Sequence, residues 1–107
     1  MLTYIPNSFS DIASTPLGQS IWEFLNEPLN VHSLKLASKL QRPAVEGITD
    51  EIFDKFGEVI KEDRTKQMIG HMIRQILENN GFHLQSSNIK VRYGNVFSYG
   101  SKYSRNN

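Results

Sequence analysis

Apolar residues recur three and four positions apart along most of this chain, then switch near its end to strict alternation; that change of period predicts helices followed by strands. The clearest helix spans 63–80, where Thr65, Met68, Ile69, Met72, Ile73, Ile76 and Leu77 draw one broad buried stripe. Gly81, after Asn79-Asn80, can take the left-handed conformation that ends a helix, which lets Phe82 pack back on Leu77. Three shorter helices precede it. Thr15-Pro16 opens the first, with Leu17, Ile21, Phe24 and Leu25 on one face, Trp22 at its edge, and Pro28 as its stop. Asn30 is placed to cap the second, whose inward stripe reads Val31, Leu34, Ala37 and Leu40, with His32, Lys35, Lys39 and Arg42 opposite. After the loop RPAVEG, Thr49-Asp50-Glu51 opens the third, with early acids suited to the positive end of the helix dipole. Ile52, Phe53, Phe56, Val59 and Ile60 are its core positions.

The alternating segment IKVRY sets Ile89, Val91 and Tyr93 against Lys90 and Arg92, and VFSYG follows Gly94-Asn95. A two-residue turn there makes a hairpin over 88–103, pairing Tyr93 with Val96 and placing Arg92 and Lys90 opposite Phe97 and Tyr99. A bare hairpin is only marginally stable, so it must pack on the fourth helix or recruit LTYI (2–5) as a third strand. The expectation is a single α+β domain over 1–107: an N-terminal arm (1–14), a helical part (15–81), the hairpin, and a frayed tail (104–107). A winged-helix-like arrangement is the leading version.

A chain of 107 residues suits one core, and 38% hydrophobic residues suffice to offset chain entropy. The absence of cysteine excludes disulfides, a thiol nucleophile and cysteine-ligated metal. With no basic leader segment and no apolar run near the roughly 18 residues of a membrane span, the expected place is the cytoplasm, with no membrane partner. Net charge is +1, but its distribution is uneven. Lys35, Lys39 and Arg42 form a basic stretch, residues 46–63 are acidic, and Lys90, Arg92, Lys102 and Arg105 make the end basic.

Familiar catalytic signatures are missing: no H-E-x-x-H, no phosphate-binding glycine loop, no G-x-S-x-G, so no enzyme, catalytic residue or cofactor is expected. His32, His71 and His83 do not pair at ligand spacing, so no metal site is expected. Asp50, Asp54 and Glu58 share a helix face, as paired carboxylates would, but a solvated face is the favoured explanation. The outward sector of the fourth helix is the distinctive feature: Arg64, Gln67, His71, Arg74 and Gln75 can donate to phosphates and read base edges. The hairpin adds Lys90, Arg92 and Lys102, interleaved with Tyr93, Phe97, Tyr99 and Tyr103, a mixture that can stack bases and hold phosphates or simply build a core. These residues nominate nucleic-acid binding. The acidic third helix opposes it unless that face points away, and a plain alternative is that its acids pair with Lys35, Lys39 and Arg42. The alternative is a protein-interaction module or homodimer using the fourth helix, with its flexible Met68 and Met72, or an unpaired hairpin edge.

KQMIGHMIRQILENNGF followed by IKVRYGNVFSYGSKY resembles the C-terminal half of small uncharacterised bacterial proteins of mobile elements, including integron gene-cassette products. The likeness spans about residues 61–103 and rests on positions such as Gly70, Gly81, Gly94 and Gly100; residues 1–45 carry none of it. It implies an accessory gene product, in regulation, defence or partner binding, with no catalytic residue to carry over. Gly70 stands inside the fourth helix, where glycine costs roughly 1 kcal/mol against alanine. The expected reason is close approach of another backbone.

Overall fold

The computed structural model describes residues 15–57, 61–94 and 96–106. The N-terminal arm with its expected strand at 2–5, Glu58, Val59, Ile60, the turn residue Asn95, the last residue Asn107, and the side chains of Tyr93 and Val96 lie outside the described set. Among the described residues, four helices precede an antiparallel hairpin, the predicted α+β class: α1 (Pro16–Leu25), α2 (Pro28–Lys39), a 3-10 turn (Ala44–Gly47), α3 (Thr49–Phe56), α4 (Asp63–Asn79), β1 (Phe82–Tyr93) and β2 (Val96–Arg105).

Thr15 caps α1 as its sequence implies, accepting from the Gly18 N–H at 3.1 Å, and Pro16 occupies the first turn. The next boundary differs from expectation. Pro28 does not merely stop α1; it starts α2, two residues after Asn26, because its fixed φ suits a first helical position as well as it blocks an interior one. Asn30 therefore lies inside α2 rather than capping it, and its side-chain amide donates to the Phe24 carbonyl at 2.8 Å, tying the α1–α2 corner. The predicted Leu34 and Ala37 are buried, joined by Ser38, but Leu40, predicted to face inward, is 61% exposed just past the end of α2. Part of the expected RPAVEG loop is the 3-10 turn, which lies against α2 so closely that a Cβ on Gly47 would meet the Ser33 carbonyl at 2.5 Å.

The seven predicted apolar positions of α4 are all buried. Met68 and Met72 fill the core rather than offering themselves to a partner, and Ile21, Leu25, Leu34, Ile48 and Ile52 join them. Each such side chain contributes about 1.5–3 kcal/mol through removal from water. Gly81 takes φ +84° as expected, and Phe82 is buried with Leu77 in the same core.

The hairpin register across the turn is the predicted one: Tyr93 faces Val96, Arg92 faces Phe97, and Lys90 faces Tyr99. The ribbon runs further than 88–103, however. Phe82 pairs with Arg105 and His83 with Ser104, and the Asn106 N–H donates to the Gly81 carbonyl at 2.8 Å, so residues 104–106 are held, not frayed. Two irregularities in β1, between Leu84 and Ser86 and between Ser86 and Ile89, interrupt the alternation, with Asn88 at φ +62°. Extra residues on one strand bend and twist a ribbon. The bend lets Phe82, Leu84, Val91 and Tyr103 all contribute to the core. The hairpin thus gains its stability by packing on the helical part.

Candidate functional site

A groove of about 420 Å³ opens between α4 and the bend of the ribbon. One wall is the polar face of α4, where the helical repeat sets Gln67, Gly70, His71 and Arg74 on successive turns. The other wall is ribbon: Leu84, Ser87 and Asn88 from β1 and Tyr99, Gly100, Ser101 and Tyr103 from β2, with Ala44 and Val45 closing one side. No carboxylate stands among these lining residues. Lys66 fastens the two walls, its Nζ donating to the Phe97 carbonyl at 3.3 Å while also lying 3.3 Å from Asp63 Oδ1.

Tyr103 and Tyr99 play opposite parts. Tyr103 is 3% exposed, and burial pushes its hydroxyl up to about 12, with Glu78 adding, and Arg74 and a hydrogen bond to Ser101 opposing. It is a neutral part of the groove wall at any physiological pH. Tyr99 is 68% exposed, a ring presented to solvent at the groove. Arg74 Nε donates to Glu78 Oε2 at 3.1 Å, an exposed pair one turn apart that holds the guanidinium along the helix.

Of the residues nominated from the sequence, the groove unites Gln67, His71 and Arg74. Arg64 is exposed on the first turn of α4, Gln75 is half-buried, and neither lines the groove. Lys90 and Arg92 lie on the outer side of the ribbon and cover Phe97: Lys90 Nζ is 4.5 Å from the ring centroid and the Arg92 guanidinium carbon 5.5 Å. Phe97 is half exposed beneath them. Lys102, opposite Ser86, is half-buried.

Other sequence expectations resolve differently. Arg42 bonds Glu46 at 2.9 Å, and among the described residues no ion pair joins the acids of α3 to Lys35, Lys39 or Arg42. The reason is proximity in sequence, since Glu46 is only four residues away on the 3-10 turn. Asp50 and Asp54 are exposed on α3. His83 Nδ1 meets Asn106 Oδ1 at 2.7 Å, and among the described residues no three metal-ligating side chains gather. Nor is any described helix long and apolar enough to cross a membrane.

Gly70 corrects an expectation outright. Nothing lies within 4 Å of a Cβ placed there, so no neighbouring backbone requires glycine; the space above it is the groove. Asn88, Ser101 and Gly100 were not singled out as site residues from the sequence. The polar run Gln85 to Asn88, out of step with strand alternation, is the signal that marks the bulge and hence the second wall. The chain matches no protein-family model, no curated protein and no solved structure.

Proposed function

We propose that this protein binds nucleic acid through the polar face of α4 and the basic hairpin beside it. The observation that carries the reading is the groove: two sequence-distant walls supply Gln67, His71, Arg74, Asn88 and Tyr99 and no carboxylate. Amides and guanidinium match base edges and phosphates, and exposed aromatics offer stacking faces. Lys90, Arg92 and Phe97 extend the surface along the ribbon. The order α3, α4, hairpin is also that of a winged helix, in which the hairpin adds backbone contacts beside a recognition helix. In this reading the protein is a small non-enzymatic accessory protein of the integron-cassette kind.

The test is a titration of fluorescein-labelled duplex and single strand at rising salt. Affinity is expected to fall steeply with salt, Arg74→Ala to weaken binding, and Arg92→Ala to weaken it while lowering the salt slope by about 1. Absence of binding to either form at low salt refutes the reading.

A second reading rests on α2, where Leu29 and Leu36, with Leu40 just past the helix end, are 81%, 47% and 61% exposed. Exposed large apolar side chains grouped this way suit a protein partner or a second copy of the chain. Light scattering at high concentration tests the dimer form, which a strict monomer excludes.

A further inference from the structure

We infer, resting on the nucleic-acid reading, that the groove between α4 and the ribbon bend is a pocket for one unstacked base of a single strand. Its size is the first argument: about 420 Å³ sits at the small end for sites that enclose an organic ligand. Shape is the second. A duplex is entered by a convex element such as a helix face, whereas here the Gln67–Arg74 segment of α4 is one wall of a concavity. The third is chemistry. Tyr99 presents an exposed ring, the Gln67 and Asn88 side chains carry paired donor and acceptor groups that match a base edge, and Arg74, its Nε held by Glu78, brings further guanidinium donors. Lys90, directly across from Tyr99, leads out to Arg92 and Phe97, a path for the neighbouring phosphates and a second aromatic face.

Gly70 is the independent observation. The helix forgoes stability at this position without any packing reason, and the open volume it leaves belongs to the groove. Any side chain there occupies space that a base would fill. Glycine is thus accounted for by access, and the same fact supplies a usable variant, because a Cβ added there meets no neighbour within 4 Å.

The experiment measures anisotropy of labelled oligothymidine, alone and as its duplex with oligoadenosine, against the wild type, Gly70→Ala, Gly70→Leu, Tyr99→Ala and Tyr99→Phe. Circular dichroism confirms the fold of each. The single strand is expected to bind more tightly than the duplex, with Gly70→Leu and Tyr99→Ala each losing roughly tenfold or more and Tyr99→Phe retaining affinity. Gly70→Ala falls between wild type and Gly70→Leu. Equal affinity of Gly70→Leu and wild type, or a preference for duplex, overturns the base pocket and leaves nucleic-acid binding intact. No binding of either probe overturns both.

Discussion

Two glycines line the same groove for opposite reasons. On the ribbon wall, a Cβ at Gly100 would lie 2.9 Å from Val91 Cγ2 and 3.1 Å from Val45 Cγ1, so the core behind the wall has already taken the space. On the helical wall nothing comes within 4 Å of a Cβ at Gly70. One glycine closes the wall from behind; the other leaves it open in front. A residue type alone does not reveal which, and only the ribbon wall is a structural necessity.

The largest expected effect probes the burial of that ribbon wall. Tyr103 is raised from 10 to about 12 in the folded chain. A raised pKa means the unfolded chain releases its proton first, so the stability contributed is complete below pH 10 and is lost as pH rises toward 12. Urea unfolding at pH 9 and at pH 12 should show roughly 2–3 kcal/mol more loss in the wild type than in Tyr103→Phe. Equal losses would mean the hydroxyl is solvated and the wall open.

Gly100→Ala comes next. Valine methyls are stiff, so the added carbon forces a shift, and a cost of about 1–3 kcal/mol is expected in the same assay. Gly70→Ala should move the other way, gaining up to about 1 kcal/mol, because alanine is the better helix former and meets no neighbour. If both glycines respond alike, the contrast between the walls is wrong. Smallest of all, Leu36→Ser on the exposed face of α2 should alter monomer stability by no more than about 0.5 kcal/mol, and a larger loss that depends on protein concentration would favour the self-association reading.

The sequence carried the helical wall well, because a 3.6-residue period over 17 residues overdetermines which face is buried. Gln67, His71 and Arg74 followed from that period. The hairpin register followed too, since a two-residue turn fixes it. The ribbon wall was legible only in part: Tyr99 and Tyr103 follow from the hairpin pattern, but a bulge breaks the period-two alternation, so Phe82 to Ser87 do not read as strand and nothing marks Asn88 and Ser101 as neighbours of α4. Gly70 was misread because periodicity shows which face a residue occupies but not what, if anything, stands opposite. Leu40 departs from its stripe for a different reason: it lies just past Lys39, where α2 ends, so the helical period no longer sets its direction, whereas Leu34 and Ala37 of the same stripe are buried and Val31 packs against the core.

The central claim, that the two walls form one nucleic-acid site, is tested most directly by mapping amide chemical shifts of the isotope-labelled protein as oligothymidine is added. The account predicts changes gathered on both walls at once, at Gln67, Gly70, His71 and Arg74 and at Asn88, Tyr99 and Ser101, with α3 silent. Changes centred on Leu29, Leu36 and Leu40, or no changes at low salt, would contradict it.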